Sequence, residues 1–333
     1  MACGVWHMAD GRNSWPYAIS HMPYTICHIL IALCCCLFAG ACEDELRVPY
    51  ILPTLANWPQ PYRGVNGLKL HVFNTGQLRV AEALVFRGGS LRHTRELPVP
   101  AFLIEHPQQG LILFNTGLEP APPQATPVPT ARVGPLIGVE THPNRGLRHA
   151  LERAGFRPDA VRWIVLGNLR PDHVGEVRQF SNAQVVTSRA EHAHAAAAGG
   201  SASGIIGAVG NWKLIDFSGT QPLGTFPNHT DLFGDGSCLL INAAGFTPGN
   251  LMMLVRLAER PVLLADDAAP TVENLQYGAR PVGAYDMRKW WDNLWRLKRF
   301  KDLAPELVVL PAHDQERARA AALKGMVVHA EDS

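Results

Sequence analysis

Three apolar runs in this chain each lead into a short cluster of ionisable side chains, and that recurrence restricts the fold more than any other feature. Residues 162–166 precede Asp172-His173, residues 262–265 precede Asp266-Asp267, and residues 306–310 precede His313-Asp314. Side chains just beyond strand ends converge on one edge of a sheet, where ligands bind. Carboxylate and imidazole together suit a borderline metal such as zinc, iron or manganese. One such pair is more often structural than functional; three in succession point to a site.

Strand and helix signals alternate around these clusters. Strand-like runs at 68–73, 101–105 and 111–114 come first, the last two forming a hairpin across Pro107-Gln108-Gln109-Gly110. A helix is expected at 145–154, then strands at 162–166, 184–187, 238–242, 251–256 and 262–265. A long helix is expected over 285–301, with Met287, Trp290, Trp291, Leu294 and Leu297 at helical spacing and its tryptophans in the core. A strand at 306–310 precedes a C-terminal helix. This order predicts a layered α/β domain, and 333 residues of 47% apolar content suffice for a full core.

Several function classes drop out. A net charge of +1 with 18% charged residues leaves no nucleic-acid footprint, and the basic run at 296–301 reads as a solvated helix face. Five of seven cysteines fall within the first 36 residues, which argues against a disulfide framework or a cysteine zinc cluster in the body. His192 and His194 lie two apart on a helix and point away from each other. Asp235 sits in a Phe233-Gly-Asp-Gly-Ser turn, and no nucleophile-elbow pattern appears.

The N-terminal portion reads as a leader. Residues 29–41 form an apolar run too short to span a bilayer, ending in small residues before Glu43-Asp44-Glu45. Ala39-Gly40-Ala41-Cys42 forms a loose lipobox, with Cys42 as the lipidation site; Met22 is an alternative start, and a cytoplasmic protein with a mistaken start is the competing reading. The expected organisation is a leader over 1–42, a Pro-rich tether or strap over 43–66, an α/β domain over 67–325 and a tail over 326–333. The expected location is outside the cytoplasm, periplasmic or lipid-anchored to the cell envelope.

Several segments resemble the lactonase-like branch of the metallo-β-lactamase superfamily, whose best-known members are the N-acyl-homoserine-lactone lactonases. Leu97-Pro-Val-Pro-Ala-Phe-Leu-Ile-Glu-His-Pro followed by Leu111-Ile-Leu-Phe-Asn-Thr-Gly is similar to the family's opening. Val165-Leu-Gly-Asn-Leu-Arg-Pro-Asp-His-Val-Gly takes the place of the Ser-His-x-His-x-Asp-His-x-Gly signature. Gly245-Phe-Thr-Pro-Gly-Asn stands for Gly-His-Thr-Pro-Gly-His, Leu264-Ala-Asp-Asp-Ala-Ala for the bridging-aspartate segment, and Leu310-Pro-Ala-His-Asp for the final histidine. The resemblance implies a four-layer αββα metallo-β-lactamase sandwich.

It also implies an altered site. The three positions that hold the first metal in the family are here Asn168, Arg170 and Phe246, while the four that hold the second are Asp172, His173, Asp267 and His313, all retained. Two supporting positions differ as well: Asn115 replaces an aspartate expected beside the first metal, and Asn250 replaces a histidine. A tyrosine common near the bridging aspartate is absent, with Pro270 at its offset. Arg170 is expected to restore positive charge beside Asp172 and Asp267 through bidentate hydrogen bonds, or to form a plain salt bridge in a dead site. The expectation is a hydrolase of a lactone or ester using one divalent metal, zinc foremost and manganese or iron as alternatives, with Asp172 and Arg170 as catalytic groups. Dinuclear lactonase activity is not expected. The alternative is a catalytically dead pseudoenzyme without metal, an envelope protein that binds an acyl ligand or serves as a scaffold. Expected partners are a small lactone, ester or acyl molecule and no nucleic acid, with membrane contact only through a lipid anchor; homodimerisation is left open.

Overall fold

A computed structural model describes residues 46–120, 130–132, 137–141, 146–198, 200–314, 316, 320–321 and 323–329. The leader and Cys42 lie outside the described residues.

In chain order the strands are β1 (Lys69–Ala81), β2 (Thr94–His106), β3 (Gly110–Phe114), β4 (Thr130–Arg132), β5 (Ile137–Glu140), β6 (Val161–Val165), β7 (Gln184–Ser188), β8 (Trp212–Ile215), β9 (Gln221–Leu223), β10 (Phe226–Asp231), β11 (Cys238–Asn242), β12 (Leu251–Arg256), β13 (Pro261–Leu264), β14 (Val308–Leu310) and β15 (Met326–Val328). The α-helices are α1 (Glu82–Val85), α2 (Leu147–Arg153), α3 (Pro171–Val174), α4 (Arg189–Ala198), α5 (Gly200–Ala208), α6 (Val272–Tyr277) and α7 (Met287–Leu303). One sheet runs β4-β5-β1-β2-β3-β6-β7-β8 with β15 also against β1, and the other runs β14-β13-β12-β11-β10-β9.

Side-chain alternation along the strands makes the layers. On β12, Met252 and Leu254 pack with Trp290, Leu294, Leu297 and Phe300 of α7, while Leu251, Met253 and Val255 pack with Leu70, Phe102, Ile104 and Ile112 of the opposite sheet. The outer face of that first sheet is covered by Leu147 and Leu151 of α2, with Ala195 and Ile205 beyond them. The result is the four-layer αββα sandwich. β11 and β12 are legible as unbroken apolar runs because both of their faces are buried.

Two segments join the domain at its ends. In the strap, Trp58 is buried, stands edge-on to Phe300 with ring centroids 4.8 Å apart, and donates from Nε1 to Glu306 at 2.9 Å. Met326–Val328, within the stretch expected as a tail, instead forms β15, paired parallel to β1 with Leu70 opposite Met326. At three residues the strand is too short for its pattern to mark it in the sequence. A polar contact joins the end of β2 to the turn before β11. His106 Nδ1 accepts from the backbone N–H groups of Gln108 and Gln109, so its Nε2 carries the proton and faces Asp235 and Ser237, each at 3.0 Å. This histidine has no free base nitrogen. The His-Asp-Ser grouping is a clamp, not a nucleophilic triad.

If the strap is integral to the fold, Trp58→Ala should lower unfolding stability by about 3–5 kcal/mol, as large-to-small changes at buried aromatics do. A denaturant midpoint within error of the parent would show instead that the strap merely rests on the surface.

Candidate metal centre

The site forms where loops after β3, β6, β13 and β14, and the loop between β11 and β12, meet at one edge of the sandwich. Glu191, near the start of α4, joins two of these loops: its buried carboxylate accepts from Leu169 N and from Gly249 N, each at 3.0 Å. Close approach requires glycine at two points. A Cβ on Gly167 would lie 2.1 Å from Asp266 Oδ2, and one on Gly249 would lie 2.1 Å from Ser188 Oγ.

The four residues expected as ligands converge. His173 Nε2 lies 3.4 Å from Asp267 Oδ2 and 3.7 Å from Asp172 Oδ2, and His313 Nε2 lies 3.6 Å from Asp172 Oδ2 and 4.0 Å from Asp267 Oδ1. Donor atoms about 2.0–2.1 Å from a tetrahedral zinc sit about 3.3–3.4 Å apart, so this spacing fits one ion with slight closure. His313 is already in the tautomer a ligand needs, because its Nδ1 lies 3.0 Å from the Pro98 carbonyl. A carbonyl only accepts, so Nδ1 carries the proton and Nε2 presents a lone pair. Trp290, fully buried, donates from Nε1 to the Asp267 carbonyl at 3.0 Å and fixes that ligand from behind.

The positions expected to be empty of ligands are filled. Asn168 Nδ2 donates to Asp266 Oδ1 at 2.7 Å and to Asp267 Oδ2 at 3.0 Å, while its Oδ1 accepts from Arg170 N. Phe246 is buried, and the Arg170 guanidinium carbon stands 5.1 Å from its ring centre. Two expectations need correction. Arg170 makes no bidentate pair: its side chain is 47% exposed and approaches Asp172 and Asp267 only through Nε, at 3.8 and 3.9 Å. Anchored at Phe246 and drawn toward solvent, it stays beyond hydrogen-bond reach. Asn115, expected beside the first metal, instead touches a ligand of the second, with Nδ2 2.9 Å from His173 Nδ1.

Asp266, which the sequence does not single out as a site residue, lies at the centre of the polar contacts. Asn115 Nδ2 donates to its Oδ2 at 2.8 Å, and the Asp267 N–H donates to its Oδ1 at 2.8 Å. Asn250 adds a donor at 2.9 Å when its amide nitrogen faces Asp266, an orientation that also lets its oxygen accept from Leu251 N; the reverse would press two oxygens together. The second contact to Oδ2 is His173 Nδ1, at 3.2 Å. The doublet Asp266-Asp267 is visible in the sequence. What hides the first aspartate is its left-handed backbone, φ 49°, which turns both side chains into the same pocket.

The charges are strongly coupled. Burial disfavours a charged His173, but Asp266, Asp172 and Asp267 outweigh it and hold the imidazole well above its usual range. Burial likewise works against the Asp267 anion, yet His173, Arg170 and His313 keep it well below the usual carboxylate range. Without metal, the pocket thus draws a proton onto His173.

Comparison with known proteins adds the family. The Metallo-beta-lactamase superfamily description matches residues 94–313. The N-acyl homoserine lactonase AttM of Rhizobium radiobacter is 28% identical over 227 residues, covering 64% of this chain and 81% of that protein. Among solved structures, B. thuringiensis AiiA with N-decanoyl-L-homoserine at its active site superimposes with a TM-score of 0.62 at 22% identity, over 76% of this chain and 95% of that one. AidC, a dizinc quorum-quenching lactonase in complex with a product, gives a TM-score of 0.52 at 18% identity, over 81% and 92%.

Two measurements test this electrostatic picture. Arg170→Ala should shift the unfolding free energy by less than about 1 kcal/mol, the range of half-exposed ion pairs; a loss of several kcal/mol would mean that the guanidinium is bonded directly to the buried carboxylates. Glu176, just past α3, is buried and accepts from Arg148 N at 3.0 Å, and burial pushes its carboxyl up to about 7. A carboxyl raised on folding favours the native state while protonated. Stability should therefore fall as pH rises from about 4.5 through 7, and Glu176→Gln should flatten that part of the profile.

Proposed function

This chain belongs to the metallo-β-lactamase superfamily, and we propose that it is a lactonase-like hydrolase of a lactone or ester that works with a single divalent metal. The observation that carries this reading is the ligand set Asp172, His173, Asp267 and His313, spaced for one ion, with Asn168, Arg170 and Phe246 filling the other place. The donor chemistry, two imidazoles and two carboxylates, suits zinc first and manganese or iron next.

Charge supports a stoichiometry of one. Asp172, Asp266 and Asp267 against Arg170 leave two negative charges when both imidazoles are neutral. One divalent cation balances them; two would leave the pocket positive by the same amount, which a poorly solvated site tolerates badly.

A bound divalent metal supplies a more acidic water and polarisation of an acyl oxygen. The chain's own residues do the rest. His313, held by Pro98, and His173, held by Asp266, keep their Nε2 atoms aimed at one point. Arg170 donates no side-chain hydrogen bond among the described residues, so its guanidinium is free to stabilise an oxyanion that develops beside Asp172. Asp172 is the carboxylate placed to take part in proton transfer. An apolar cleft of about 310 Å³ lined by Leu118, Val139, Leu169, Pro171, Val174 and Ile205 supports an acyl or alkyl portion on the substrate. The leader-like residues 29–41 and Cys42 support an envelope location, soluble or lipid-anchored.

Elemental analysis tests the reading. Purified protein should carry at most one transition metal per chain, Asp267→Ala should abolish it, and chelation should remove any lactone or ester hydrolysis. Two metals per chain would overturn the reading of Asn168, Arg170 and Phe246. None after reconstitution with zinc, manganese and iron would leave a metal-free pseudoenzyme that binds an acyl ligand.

A further inference from the structure

The asparagines at 115, 168 and 250, which stand where the resemblance implies aspartate or histidine, all donate to one carboxylate, Asp266. Three amides on three different loops do not converge in this way on a residue without a role. Asp266 in turn reaches His173 Nδ1, the nitrogen opposite the one that faces the metal position. We propose that Asp266 is the positioning residue for His173, and that it has taken over, from the opposite loop, the place an aspartate would occupy at position 115. This rests on the single-metal reading above and deepens it.

The physical argument concerns which ring nitrogen carries the proton. His173 can offer Nε2 to a metal only if Nδ1 holds the hydrogen. Two groups stand at Nδ1: Asn115 Nδ2 at 2.9 Å and Asp266 Oδ2 at 3.2 Å. The amide of Asn115 is a donor whose oxygen already accepts from Gly167 N at 2.9 Å, so it cannot turn to receive a proton. Left alone with Asn115, Nδ1 would accept, and the hydrogen would move to Nε2, where it blocks the metal. Asp266 is the only acceptor among the described residues at that nitrogen. Four amide donors face its two oxygens: Asn115, Asn168, Asn250 and the N–H of its neighbour Asp267.

The geometry also shows that the arrangement can be inverted. Asn115 and Asp266 both adopt left-handed backbone, φ 58° and 49°, a conformation that asparagine and aspartate tolerate better than other side chains with a Cβ. In Asn115→Asp with Asp266→Asn, residue 115 would keep one oxygen on Gly167 N and turn the other to Nδ1. Residue 266 would keep an oxygen for Asn168 and Asn250 and donate its new amide to residue 115. The bond between residues 115 and 266 reverses direction, and the acceptor at Nδ1 passes from residue 266 to residue 115.

Two readouts on the full-length protein decide the matter. Cobalt(II) or zinc titration should show metal binding weakened about 10–100-fold in Asp266→Asn, as when a group that orients a metal-binding histidine is lost, and restored to near the parent value in the double variant. NMR of His173 in the metal-free protein should find the Nδ1 proton shifted far downfield, as in a hydrogen bond to a carboxylate, in the parent and the double variant, and that shift lost in Asp266→Asn. Unchanged affinity and an unchanged Nδ1 in Asp266→Asn would overturn the inference while leaving the single-metal reading intact. A parent protein that binds no metal would sink that reading, yet the NMR comparison would still decide the role of Asp266. Should Asp266→Asn not fold, a folded double variant with metal affinity tenfold or more below the parent overturns the proposal.

Discussion

The contact on which the site most depends is made by a residue that could never touch a substrate or a metal. Glu191 is buried, and its two oxygens accept from backbone N–H groups on different loops, Leu169 N and Gly249 N. One loop carries Asn168, Arg170, Asp172 and His173; the other flanks Phe246 and Asn250. Neither has regular structure of its own for most of its length, so its shape has to be imposed from outside. A carboxylate between two amides does this in a medium where leaving either N–H unpaired costs about 1–3 kcal/mol. Ser188 completes the fixture by accepting from Glu191 N and donating to the Gly249 carbonyl.

How much of this the amino-acid sequence revealed follows from burial. The strands Cys238–Asn242 and Leu251–Arg256 could be read to the residue because both of their faces are covered. Lys69–Ala81 could be read only in its first half: beyond Phe73 the strand passes through Asn74-Thr75-Gly76, where the pairing register shifts. The strands at 221–223 and 226–231 escaped because they carry few apolar positions, and that at 212–215, apolar at three of its four positions, is too short to show the alternation that marks a strand. Of the site, Asp172, His173, Asp267 and His313 were legible because each follows a strand. Glu191 was not, although Ser188-Arg-Ala-Glu191 has the spacing of a helix capping box. Sequence spacing alone held no hint that the glutamate would turn away from its own helix and serve two distant loops.

Compared with the lactonases, this chain keeps the architecture and changes the source of charge. The two-sheet fold seen in a solved dizinc lactonase is present, and on the single-metal reading proposed above the place of a first ion is taken by an amide, an arginine and a phenylalanine. What varies is which groups supply positive potential. The pocket surrounds its carboxylates with amide hydrogens, one half-exposed guanidinium and an imidazole held strongly basic, and needs correspondingly less from metal.

The convergence on Asp266 has a consequence for descent. A mutation of Asn115 to aspartate alone would set two carboxylates at the 2.8 Å now spanned by an amide hydrogen bond. A mutation of Asp266 to asparagine alone would set two amide donors against each other at that same contact. Either first step passes through a state with a buried charge or donor unmatched, whatever the benefit of the second. Residues 115 and 266 are therefore coupled: each tolerates the exchange of acid for amide only when the other has made the reverse exchange.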